Sequence, residues 1–172
     1  MSKSKRLALD GMLAAVYFAL SWAVIPIGGN LQVRFTSLAL VVTALLFGAA
    51  DACAVAFVGE ALYQIVVFGV TVTTPIWLLP PVLHALALGL IAKPLRDKAI
   101  PCFTACLCCG ALNSVCNTLA LWADAKIYGY YSPAVVFGAM PLRLAIGFAT
   151  ATVVSCAAIP TVRALRNRGL LQ

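Results

Sequence analysis

The stretch Asp51–Gly69, DACAVAFVGEALYQIVVFG, constrains this chain most. It is long and apolar enough to cross a bilayer, yet Glu60 lies near its middle and Gln64 follows one helical turn later. Residues four apart share a helix face. An ionisable group at bilayer mid-depth costs roughly 2.5–3.5 kcal/mol on insertion scales, so it faces a partner or a cavity. Glu60 therefore either ties two helices together or lines a polar pocket.

The rest of the chain repeats the theme. Hydrophobic residues make up 63% of its 172 residues and charged residues only 10%, against about 25% charged in a soluble domain. Mean hydropathy is +1.03. Six spans of about 20 residues fill the length, which leaves no room for a second, soluble domain. The expected fold class is an all-α integral membrane protein, a bundle of six transmembrane helices in one domain over residues 1–172. The approximate spans are 7–25, 35–47, 51–69, 76–92, 99–121 and 133–159. The net charge of +7 does not indicate nucleic acid, because the basic residues sit in short loops and at the ends.

Met1–Arg6 is a basic head, and Leu7–Ile25 is too long for a signal-peptide core and reads as a retained helix. Gly11, Ala15, Ala19 and Ala23 form a small-residue strip along it, a pattern that admits close helix approach. Pro26–Arg34 reads as a loop broken by Pro26 and the Gly28-Gly29 pair. The second span is short. Gly48–Asp51 is a tight turn, and Asp51 is placed to cap the third span. VTVTTP is a connector. Pro80 and Pro81 are expected to kink the fourth span or delay its regular helix. Cys102, Cys106 and Cys109 share a face, but without a paired CxxC or a nearby His no metal site is expected. WADAKIYGYYS reads as a polar, aromatic loop whose tyrosines either cover a site or anchor at the interface. The sixth span begins at Pro133, with Pro141 as a kink, and ends before Pro160 and a basic tail holding Arg163, Arg166 and Arg168.

Six spans put both termini on one side. That side collects the head, KPLRDK and the tail, while the other holds only Arg34 and Lys126. The positive-inside rule then makes both termini cytoplasmic. Polar groups run from mid-membrane outward, which describes a pocket open to the outside better than a pore, since a pore needs polar lining through both halves. The candidate substrate-binding residues are Arg34, Glu60, Tyr63, Gln64, Trp77, His84, Asn113, Asn117, Tyr131 and Arg143. Arg34 and Arg143 suit an anion. Glu60 suits a donor-rich ring, and Trp77 and the tyrosines suit stacking on it. The alternative pairs Arg143 with Glu60 and leaves both out of the site. For His84, Asn113 and Asn117 a purely structural hydrogen-bonding role stays open.

These residues resemble a family, the substrate-binding (S) components of energy-coupling factor (ECF) vitamin transporters. The similarity covers nearly the whole chain: size, six spans, cytoplasmic termini and the strip on span 1. LQVRFTSLALVVTALLFGAADACAVAFVGEAL looks like the family's loop and helix pair, although Phe47-Gly48 is followed by Ala49-Ala50 where Gly-Pro is more usual. NTLALWADAKIYGYYS with MPLRLAIGF is nearest the folate-type group. The resemblance implies a high-affinity vitamin-binding subunit in a bacterial or archaeal cell membrane. Its expected ligand is folate or a related anionic vitamin, and no cofactor is expected. It also implies that Gly11, Ala15, Ala19 and Ala23 dock on a transmembrane T component that works with two ATPase subunits. No phosphate-loop motif is present in the sequence, as that division of labour requires. An autonomous small-solute transporter or channel is the alternative. A purely structural membrane protein is a third reading. An intramembrane enzyme fits less well, since a lone His with no HExxH or Gly-x-Ser-x-Gly offers no catalytic set.

Overall fold

The computed structural model describes residues 3–28 and 31–167. Helix α1 runs Lys3–Trp22, strands β1 and β2 are Val24–Gly28 and Leu31–Arg34, and α2 is Ser37–Leu46. Helix α3 spans Ala49–Phe68, and α4 spans Thr74–Ala87 before a π-helical turn over Leu88–Ala92 and a 3-10 turn over Lys93–Leu95. Helix α5 is Ala99–Tyr128, α6 is the single turn Pro133–Val136, and α7 is Met140–Asn167. Ala49–Phe68, Thr74–Leu95, Ala99–Tyr128 and Pro133–Asn167 are long and apolar enough to cross a membrane, and Ser37–Leu46 is a shorter apolar helix. The regular structure of the described residues is thus helical except for one hairpin.

That hairpin is the first departure from the sequence reading. Residues expected as a plain loop pair antiparallel, Val24 opposite Arg34 and Ile25 opposite Val33, with a register shift between Pro26 and Gly28. β-branched residues at positions 24, 25, 27 and 33 favour extended backbone, and Pro26 is tolerated at a sheet edge. Gly29 lies outside the described residues, as does Arg168 of the expected basic tail.

Four further expectations are corrected. Asp51 lies within the first turn of α3, where the N-cap is Gly48, and makes no capping bond; its Oδ2 instead accepts from Arg6 Nε at 2.6 Å. Helix α4 begins at Thr74 and runs on through Pro80 and Pro81, so the prolines do not delay its regular helix. Helix α5 continues seven residues past the expected end at Leu121 and stops at Gly129, which adopts the left-handed φ of 77°. Finally, the sixth span divides at Phe137–Ala139. Pro141 sits in the first turn of α7, where a missing N–H is harmless, and Pro160 lies inside that helix.

Small residues let the helices close in. The core combines Ala39, Leu40, Ala44 and Leu45 of α2, Ala52, Val55 and Ala56 of α3, and Val154, Ala158 and Val162 of α7. Cys102, Cys106 and Cys109 are buried among them as compact hydrophobes. The short α2 is held at its C-terminal end by two cations. Lys93 Nζ donates to the Phe47 carbonyl at 2.8 Å, and Arg96 Nη1 donates to that of Leu45 at 3.0 Å. Positive charge there complements the helix dipole. Gly48 makes room for it, with a φ of 113° and a position where an added Cβ would lie 2.6 Å from Lys93 Nζ.

Candidate functional site

A cavity of about 630 Å³ opens between the helices. Its rim is at the hairpin end of the bundle, where Arg34, Trp77, Asp124 and Arg143 lie, and its far end reaches Cys106 and Ser155. The volume falls within the range of sites that enclose a small organic ligand. Arg34, Glu60, Gln64, Trp77, His84, Asn113, Asn117 and Arg143, all singled out from sequence, line it together. Tyr63 and Tyr131 do not. Tyr63 lies behind Arg34, whose Cζ sits 4.7 Å from the ring centroid, and Tyr131 is covered by Lys126 Nζ at 4.1 Å.

Glu60 is held on both oxygens. Tyr17 Oη donates to Oε2 at 2.8 Å, and Gln64 Nε2 donates to Oε1 at 2.8 Å. Helical geometry brings Gln64 within reach, since it stands one turn on. Tyr17 reaches across from α1 because Gly59 offers its ring a flat seat. A Cβ added at Gly59 would lie 2.5 Å from Tyr17 Cδ1. The buried side of α1 is Ala14, Tyr17 and Ser21, of which Tyr17 lines the cavity, while Gly11, Ala15, Ala19 and Ala23 face outward and are exposed.

The two arginines keep their charge free of carboxylates. Arg143 Nη1 donates to the Val136 carbonyl at 2.9 Å, an acceptor freed by the break between α6 and α7. Arg34 Nη2 donates to Gln32 Oε1 at 3.1 Å. Glu60 and Arg143 share a cavity without pairing, for Glu60 is held by Tyr17 and Gln64 and Arg143 by the Val136 carbonyl. Unneutralised guanidinium groups at a cavity rim attract an anionic group.

Asp124 lies in a segment whose composition reads as a loop, so the sequence does not mark it as a site residue. On α5 it is buried and lines the cavity. Its Oδ1 accepts from Trp77 Nε1 at 3.1 Å, and its Oδ2 accepts from the Tyr130 phenol. Burial and the Asp124 carboxylate push the Tyr130 phenol up to about 12, so it stays a donor at neutral pH. Tyr17 was also missed. Its signal was a lone tyrosine in an apolar span, one turn before Ser21 and opposite the small-residue strip. Thr36, Ser114, Thr150 and Ser155 are among the hydroxyls that add to the polar lining; scattered as they are, they leave no pattern in the sequence.

The family model described as "ECF-type riboflavin transporter, S component" matches residues 1–166. The matched group is the riboflavin type, and the folate-type grouping drawn from the α5–α7 segment is not supported by it. No curated protein matches the sequence. A solved structure described as the S component of a bacterial ECF transporter superimposes with a TM-score of 0.69 at 21% identity, covering 96% of this chain and 98% of that one. At that identity the likeness carries the fold.

Proposed function

The chain belongs to the S components of ECF-type riboflavin transporters, and from that premise we propose that its cavity captures a water-soluble vitamin with a flat heterocyclic ring. The protein is thus a transporter's substrate-binding subunit in a membrane and not an enzyme. Membership in the family implies a T component and ATPase subunits as partners. The observation that carries the ligand reading is the cavity itself, with Glu60 clamped on both oxygens, Trp77 and Tyr128 beside it, and two arginines without carboxylate partners. Riboflavin is the first ligand to test, because of the family match. Folate and other anionic vitamins follow, because Arg34 and Arg143 suit a carboxylate or phosphate that riboflavin lacks. The ligand enters from outside a bacterial or archaeal cell and leaves inward through the ATPase-driven cycle. In this reading the bundle crosses the membrane six times with both termini cytoplasmic. The outward strip Gly11, Ala15, Ala19 and Ala23 docks on the T component.

Thermal stabilisation of the purified protein in detergent tests this. A ligand that binds only the folded state raises apparent stability by RT ln(1 + [L]/Kd), about 2.7 kcal/mol at a hundredfold excess over Kd. The panel is riboflavin, its 5′-phosphate, folate and pantothenate. One clear stabilisation names the ligand class, and none across the panel refutes the vitamin reading.

A further inference from the structure

The end of the bundle away from the cavity rim carries more positive charge than its carboxylates answer. The chain has five acidic residues. Glu60 and Asp124 line the cavity. Asp51 pairs with Arg6, and Asp10 lies beside that pair. Asp97 is left for Lys93, Arg96, Lys98, Arg163 and Arg166, and it pairs with Arg166 at 2.5 Å. The bond from Arg166, with the charges of Arg166, Arg96 and Arg163, holds the Asp97 carboxyl below the usual carboxylate range. Three guanidinium groups thus stand around one exposed carboxylate.

Three of these cations are set in place and left charged. Lys93 Nζ donates to the Phe47 carbonyl and Arg96 Nη1 to that of Leu45, and Arg163 Nη2 donates to the Arg96 carbonyl at 3.1 Å. Neutral carbonyls fix the side chains without cancelling their charge. A guanidinium has five N–H donors and an ammonium three, so one bond each leaves donors over for a further acceptor. Lys93, Arg96 and Arg163 are half-buried, and they join the turn after α4 to the last turns of α7. The cluster also sits where apolar surface ends. Thr74–Leu95 and Ala99–Tyr128 are long and apolar enough to cross a membrane, and Leu90, Ile91 and Ile100 are exposed on the segments that flank the cluster. An acidic protein surface would answer the charge and leave that aliphatic border bare. An anionic phospholipid answers both, and basic pockets between membrane helices are suited to such headgroups.

We propose that Lys93, Arg96 and Arg163 form a headgroup site for an anionic phospholipid, whose phosphate bridges the turn after α4 to α7 while its acyl chains cover Leu90, Ile91 and Ile100. In the orientation proposed above this is a lipid of the inner leaflet. The site lies apart from the substrate cavity and does not depend on which vitamin the cavity holds.

The probe is dioleoyl phosphatidylglycerol, with dioleoyl phosphatidylcholine as the zwitterionic comparison. Each is titrated into the purified full chain in a nonionic detergent, and bound lipid is read by native mass spectrometry. Wild type is expected to prefer the anionic lipid by about tenfold or more, since each cation near an anionic headgroup contributes a factor of about five. Arg96→Gln combined with Arg163→Gln should bring that preference to within about twofold. Lys126→Gln, which removes a cation from the last turn of α5 at the opposite end, should keep it. If the double variant does not fold, Arg163→Gln alone carries the test and should lower the preference about fivefold. Equal binding of the two lipids by wild type would overturn the proposal, and so would a preference that the variants leave unchanged. Tighter binding of a polyglutamate peptide than of either lipid, lost in the same variants, would also overturn it and assign the cluster to an acidic protein partner.

Discussion

Tyr17→Phe removes one oxygen and leaves the ring on its seat. In the wild type that oxygen donates to Glu60 Oε2 at 2.8 Å in a buried contact. Glu60 Oε1 keeps Gln64, so the carboxylate loses one of its two protein donors. A hydrogen bond to a charged group contributes about 1.5–3 kcal/mol. For a chain of this size, each kcal/mol moves the melting temperature by about 2–4 °C, so the fall should be roughly 3–12 °C. The assay is thermal unfolding of the unliganded protein in detergent. A double-mutant cycle with Glu60→Gln isolates the pair, since residues in direct contact couple by about 0.5–3 kcal/mol whereas independent sites add. Gly59→Ala attacks the same contact by crowding. Its Cβ would lie 2.5 Å from Tyr17 Cδ1 and 3.1 Å from Tyr17 Cβ, and overpacking of that kind costs about 1–3 kcal/mol. A Tyr17→Phe melting temperature within 1 °C of wild type, a difference below roughly 0.5 kcal/mol, together with an additive cycle, would refute the claim that Tyr17 holds Glu60 in place.

Other expectations follow from the same contacts. Arg143→Ala should weaken an anionic ligand by about 2–5 kcal/mol if the charge is buried on binding, read by titration against the 5′-phosphate of riboflavin; an unchanged affinity removes Arg143 from the site. Ala15→Leu and Ala19→Leu add bulk to the exposed side of α1 and should abolish uptake while leaving ligand binding intact; loss of both would assign the strip to folding. Lys93→Met removes the cation from the C-terminal end of α2 and should destabilise by about 0.5–2 kcal/mol, with added salt narrowing its gap to wild type; an unaltered melting temperature would show that Arg96 suffices.

Much of the site was legible because helical periodicity projects sequence onto space. Glu60 and Gln64 share a face at any packing angle, and an ionisable group in an apolar run has few stable environments. That logic brought eight side chains from five segments to one cavity before any contact was known. It failed where a partner lay far along the chain. Nothing local to Tyr17 marks Glu60 as its acceptor, 43 positions away. Tyr63 carries the same aromatic signal as Trp77, yet it supports Arg34 from behind.

Element boundaries were less legible, for a physical reason visible at Trp122–Tyr128. Its charged and aromatic residues look like a loop by composition, but Asp124 is paid for by Trp77 and Tyr130, so the helix continues to Gly129. Likewise Pro80, Pro81 and Pro160 remove local hydrogen bonds that surrounding packing tolerates, and Pro26 enters a strand because Leu31–Arg34 pairs antiparallel with its segment.

The sequence by itself determined that the chain is a helical membrane protein with buried polar groups that need a cavity, since apolar length and the cost of a lone carboxylate are properties of segments. Tertiary structure alone decided which donors satisfy Glu60 and that Arg143 holds a helix break and not Glu60. Hydrogen-bond partnership depends on distances of a few tenths of an ångström between residues tens of positions apart, and only the packed helices fix those distances.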